Sequence, residues 1–201
     1  MFFMGDVKQS NSVDADVAFT QKGVITLGWQ GNYYFPISNH SIGMGISFSE
    51  LDMTKSNYGS GSVDYPTEVN AYTYGEYRSK DQGTTFLYGV DYEKSSSFDL
   101  SESNNQGKIV LEDNSLIYGT LGIARSIGFS KTSIFTKLTL SKTLISKSSS
   151  GKNYSGYKTN FYINKKMNKD FYIFSNFRYQ NLSTSSDLQV IRLGFGFGVL
   201  F

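Results

Sequence analysis

A chain of 201 residues with a formal net charge of +2 and no cysteine is one domain by size. It carries too little charge excess to argue for nucleic acid, and it has neither disulfide nor thiolate chemistry. Charged residues make up 18% and aromatics 16%, and mean hydropathy is −0.31, with no run near the ~18 continuous apolar residues of a membrane helix. That average leaves a membrane β-barrel open, because polar and apolar residues alternate there and cancel.

In chain order, Met1–Gly5 lacks the charged and fully apolar regions of a complete secretory signal, so residues 1–10 read as the remnant of one or as an unstructured N-terminus. A first strand is predicted over Val13–Phe19, with Asp14 and Asp16 on one face, followed by a Gln21-Lys22-Gly23 turn. Ile25, Leu27, Trp29, Gly31, Tyr33 and Phe35 then alternate with Thr26, Gly28, Gln30 and Asn32. Ile42, Met44, Ile46 and Phe48 alternate with glycine and serine. Segment 66–79 is strand-like but reads both ways: Val69, Ala71 and Thr73 oppose Tyr72, Tyr74 and Glu76. Phe86, Tyr88, Val90 and Tyr92 oppose Leu87, Asp91 and Glu93; Ile117, Leu121 and Ile123 oppose Tyr118 and Thr120. Ile134, Leu138 and Leu140 oppose Lys137, Thr139 and Ser141, and Lys142 falls on the apolar row near its outer end, where it can snorkel. Phe161 and Ile163 oppose Lys158 and Asn160, and Phe171, Ile173, Phe177 and Tyr179 oppose Asn176 and Arg178. The last segment is the clearest: Ile191, Leu193, Phe195, Phe197, Val199 and Phe201 form one row, and Arg192, Gly194, Gly196 and Gly198 the other.

This grammar predicts an all-β, antiparallel, up-and-down transmembrane barrel of about ten strands (range about 8–12) in one domain over 1–201. Short connections alternate with longer polar ones near 55–65, 99–112 and 148–153; the last reads as a flexible loop tip. Aromatics gather at predicted strand ends: Tyr33, Tyr34, Phe35, Phe129, Phe171, Tyr172 and Phe201 on one side, Phe48, Tyr65, Tyr92, Phe98, Tyr154 and Tyr157 on the other. Such rings suit two interfacial girdles.

The final strand, Gly194-Phe-Gly-Phe-Gly-Val-Leu-Phe201, resembles the C-terminal signature of small bacterial outer-membrane β-barrel proteins. Gly196, Val199 and Phe201 match that pattern, whereas Gly194 stands where a polar residue is usual. The resemblance implies outer-membrane localisation and recognition of this strand by the barrel-assembly machinery.

Little in the sequence carries chemistry. The one histidine, His40, falls in a turn, where it reads as a solvated polar residue and not as a general base. The pairs Asp14/Asp16 and Asp91/Glu93 could bind Ca²⁺ or share a proton, but the lumen also receives Lys137, Lys158, Arg178 and Arg192. An internal charge network of Asp91, Glu93, Lys137, Lys158, Arg178 and Arg192 is therefore expected, since buried charges need partners. Ile191, Leu193, Phe195 and Phe197 are expected to face lipid. Neither Gly43-Met-Gly45 nor the terminal glycines open a helix, so a phosphate loop is not implied. The expectation is a non-enzyme without cofactor or metal that works in outer-membrane lipid, as a narrow pore or a structural element. The alternatives are an adhesin or receptor binding an extracellular ligand through loops 55–65, 99–112 and 148–153, an outer-leaflet enzyme, and a soluble periplasmic barrel with the apolar rows inside.

Overall fold

The computed structural model describes residues 2–11, 17–35, 38–55, 62–64, 67–79, 83–98, 111–129, 132–168, 170–184 and 186–199. They form the strands β1 (Phe2–Asn11), β2 (Val17–Tyr34), β3 (His40–Lys55), β4 (Ser62–Asp64), β5 (Glu68–Arg78), β6 (Thr84–Phe98), β7 (Leu111–Phe129), β8 (Thr132–Ser148), β9 (Ser155–Lys166), β10 (Phe171–Ser183) and β11 (Ser186–Val199). Each long strand pairs antiparallel with its chain neighbour, β3 pairs onward with β5, and β1 pairs with both β2 and β11. The ring is therefore closed, and the short β4 hangs from β3 alone. Closure removes the free sheet edges that would otherwise recruit other chains. The connections from β2 to β3, β5 to β6, β7 to β8 and β9 to β10 lie at the same end as both described termini, called here the terminal end; the remaining connections lie at the loop end. One terminal-end turn is tied by Asn168, whose Oδ1 accepts the amides of Asp170 and Phe171 at 2.9 Å each.

The first hairpin departs from the sequence reading. Residues 2–11, read as a signal remnant or an unstructured start, form β1, the strand that satisfies the facing edges of β2 and β11. Gln21-Lys22-Gly23 is not a turn: β2 runs through it, and a register shift against β3 between Gly23 and Ile25 absorbs an extra residue as a bulge. Residues 12–16, with Asp14 and Asp16, lie outside the described residues.

The alternation sorts cleanly by face. Outward residues are apolar and exposed, among them Leu27, Phe48, Phe86, Leu121, Leu140, Phe177 and, at 72% exposure, Phe197. Inward residues include buried Ser49, Glu68, Asp91, Glu93, Thr120, Thr139, Lys158, Arg178, Gln180 and Arg192. A soluble barrel would show the reverse. In β5 the ambiguity of 66–79 resolves with Tyr72, Tyr74 and Glu76 on the inner row and Val69, Ala71 and Thr73 on the outer one. On β7 the outward charges Asp113 and Arg125 bracket Ile117, Leu121 and Ile123. At ~3.3 Å per residue and a tilt of ~40° they stand roughly 30 Å apart in height, room for an apolar band of about 25 Å.

The girdles are partly as the sequence suggests. Tyr33, Phe35, Phe48, Tyr92, Tyr157 and Phe171 are exposed on the outer surface, whereas Tyr172 and Tyr154 turn inward. Tyr172 lies over Gly198, where any Cβ would collide with its ring, and Tyr154 is buried with its hydroxyl donating to Glu112 at 3.1 Å. The side chains of Tyr65, Phe98, Phe129 and Phe201 lie outside the described residues.

Candidate functional site

The bore holds a belt of buried polar side chains in its loop-side half. Glu68 begins β5, Asp91 and Glu93 share the inner row of β6, Lys158 lies on β9, Arg178 and Gln180 on β10, and Arg192 on β11. β5 stands across the ring from β10 and β11. Arg192 Nη1 donates to both carboxylate oxygens of Glu68, at 2.8 and 2.6 Å, and Arg178 Nη1 donates to the same group at 3.1 Å. Asn70 Nδ2 adds a fourth bond at 2.7 Å. The second Nη of Arg178 donates to Glu93 and, at 2.7 Å, to Gln180 Oε1. Gln180 Nε2 passes the chain on to Glu93 at 3.2 Å and to the Tyr118 hydroxyl at 2.8 Å.

Lys158 joins the two β6 carboxylates. Its ammonium lies 3.3 Å from Glu93 and 3.5 Å from Asp91, and 4.1 Å above the centre of the Tyr118 ring. Asp91 also accepts from Tyr74, from Thr120 at 2.9 Å and from Ser141 at 3.1 Å. Three carboxylates thus face three cations in a charge-balanced cross-brace, which is how buried ions escape an uncompensated desolvation cost. Each acid is held by a cation and by neutral donors, so none is left poised as a base. Among the described residues, no three His, Asp or Glu side chains are placed to hold a metal.

Of the charged residues singled out in the sequence, Asp91, Glu93, Lys158, Arg178 and Arg192 meet in this brace. Lys137 projects into the bore but stands apart from it, with its ammonium 5.0, 5.6 and 5.7 Å from the ring centres of Tyr72, Tyr74 and Tyr162. That is a cation–π cage in place of an ion pair. Glu68, the acid with the most cationic contacts, was missed because 66–79 read both ways. The usable signal was that Glu68 and Glu76 share a row, and charges belong on the inner one.

On β11, Ile191, Leu193, Phe195 and Phe197 lie on the outer surface, Gly196 is on the inner row, and Val199 faces out; Phe201 lies outside the described residues. His40 opens β3 on the outside, its ring 5.1 Å from that of Tyr77. Segment 148–153 is no free tip. Ser149 exchanges bonds with the Asp113 backbone at 2.9 and 3.1 Å, and Ser150, Lys152 and Tyr154 converge on buried Glu112. Most of 55–65 and 99–112 lies outside the described residues.

A closed ring with an apolar outside and ions inside is stable where lipid replaces water around it, because a barrel pairs every strand edge internally. The fold is that of an outer-membrane β-barrel. No family model and no curated protein sequence matches the chain. Among solved structures, it is similar to the beta domain of the Bordetella autotransporter BrkA, with 12% identity, a TM-score of 0.49 and 96% of each chain covered. It is similar to an outer membrane channel from Pseudomonas putida F1, with 9% identity, a TM-score of 0.45, and 99% of this chain and 95% of that one covered. The NanC porin gives 11% identity and a TM-score of 0.31 over 98% of this chain and 100% of that one.

Proposed function

We propose that this chain is a non-enzymatic structural element of the outer membrane, a barrel whose bore is braced shut and does not stand open as a diffusion pore. The observation that carries this reading is Glu68, 1% exposed, gripped from across the ring by Arg178 and Arg192. Ten strands lie between eight-stranded barrels filled by side chains and 16-stranded porins with an aqueous channel, so a brace of this size spans the lumen. The terminal-side half is looser: inward Tyr72, Phe135, Tyr162, Tyr172 and Phe174 are only half-buried. Water enters from that end and stops at the brace. On this reading the terminal strand, through Gly196, Val199 and Phe201, is what the barrel-assembly machinery engages, and outer-membrane lipid is the barrel's constant partner.

Planar-bilayer recording tests the closed bore. The native protein gives no steady channel, whereas the doubly neutralised Glu68→Ala/Glu93→Ala protein conducts, because the cross-bore bonds are gone. A steady conductance from the native protein under the same conditions would replace the structural reading with that of a narrow pore.

A further inference from the structure

Lys142 is a charge on the lipid-facing surface. It stands between Leu140 and Leu144 on β8, opposite Gly119 of β7 and Tyr157 of β9. An ionisable group on the lipid face of a barrel is costly and marks a functional contact by default. Five positions further on comes Lys147. In a regular strand, residues five apart point to opposite faces. Here the β7–β8 register shifts between Ile117 and Tyr118, which face Ile145 and Thr143, so Leu144 is the extra residue of a bulge. The bulge reverses the alternation: Leu144 and Ile145 are both exposed outside, and Lys147 emerges on the same face as Lys142.

A third lysine joins them. Lys94 and Lys147 are the two partners of Ser115, on β6 and β8 respectively, so their backbones lie about 10 Å apart across the sheet. Lys94 is 4.0 Å from outward Asp113, and both are half exposed. Among the described residues Lys142 and Lys147 have no ion-pair partner. Among the described residues the patch therefore holds three ammoniums against one carboxylate: Lys94 and Lys147 flank Ser115 near the loop end, and Lys142 lies lower, level with Gly119, with Leu140 below it, Leu144 and Ile145 above it and Tyr157 beside it.

We infer that Lys142 and Lys147, brought to one face by the β8 bulge, and Lys94 form a binding site for the anionic phosphate headgroup of a membrane lipid at the loop end of the barrel. The acyl chains lie along Leu140, Leu144 and Ile145, while Lys142 extends its stem towards the headgroup level. Tyr157 suits that level, where amphipathic rings collect. This inference rests on the membrane reading of the fold.

The test compares folded protein in nanodiscs of phosphatidylcholine with and without phosphatidylglycerol, counting retained lipid by native mass spectrometry. The native protein retains phosphatidylglycerol in preference. Lys142→Gln/Lys147→Gln lowers that preference by roughly five-fold per lysine, and Lys142→Arg/Lys147→Arg restores it. Equal retention by native and Gln-substituted protein overturns the site. Loss of retention on adding inorganic phosphate, but not chloride at equal ionic strength, overturns the choice of a lipid in favour of a free anion. Failure of the native protein to enter discs at all overturns the membrane reading with it; entry without lipid preference overturns this inference alone.

Discussion

Neutralising Glu68 without changing its size should cost well over what a charge change at the rim costs. In Glu68→Gln, Arg192 loses the carboxylate that takes two of its bonds, and Arg178 loses one of its two carboxylate partners. All three side chains are buried. Removing one partner of a buried ion pair costs about 3–5 kcal/mol. Because Arg178 keeps Glu93, the lower end applies, about 3 kcal/mol, or a factor of over ~100 in the folding equilibrium. Glu68→Gln/Arg192→Gln should cost less than the sum of its single changes by about 1–3 kcal/mol, since one loss relieves the other. Reversible denaturant unfolding in lipid vesicles measures both. The only tryptophan, Trp29, is 59% exposed on the lipid face and reports the transition by its fluorescence. A Glu68→Gln protein within ~0.5 kcal/mol of native, with additive doubles, would refute the cross-bore brace as a stabilising unit.

Two further outcomes follow from the faces. Leu121→Arg, in the middle of the outward row of β7, should lower stability in vesicles by about 2–4 kcal/mol, whereas Asp113→Arg at the rim changes it by less than about 1 kcal/mol; the same unfolding assay separates them. At Gly45 a Cβ would sit 2.5 Å from Cε1 of the Tyr72 ring, so Gly45→Val must expel that ring. It should cost about 1–3 kcal/mol, read as a lower unfolding midpoint, while Gly128→Val, with nothing within 4 Å, should cost much less.

How far the sequence went depended on whether one residue type owned each row. In β11 large apolar side chains take one face and glycine and Arg192 the other, and β3 and β6 repeat that contrast, so the face of each strand was legible. The brace was legible where charge and parity coincided, as at Asp91, Glu93 and Arg178. It failed at β5, where tyrosines on the inner row look as apolar as the outer one, and Glu68 was lost with it. The first hairpin failed because Gln-Lys-Gly has turn chemistry while the strand absorbs it through a bulge, an arrangement set by pairing with β3 and not by local preference. The bulge at Leu144 left no local mark either. Its effect, a parity change between Lys142 and Lys147, emerges only once β7 fixes the register. Lys137 was read as a member of the charge network, and its place among the rings of Tyr72, Tyr74 and Tyr162 has no mark in the sequence, which does not show which aromatic rings come within reach from β5 and β9.

The central claim is that the apolar rows face lipid and the charges face the bore. As the chain has no cysteine, single cysteines can be placed one at a time from Gln189 to Gly198 on β11 and spin-labelled in bilayers, with accessibility to oxygen read at each site. Oxygen contact should peak at 191, 193, 195 and 197 and drop at 192, 194 and 196. Peaks at the even positions, or no alternation of period two, would contradict the account.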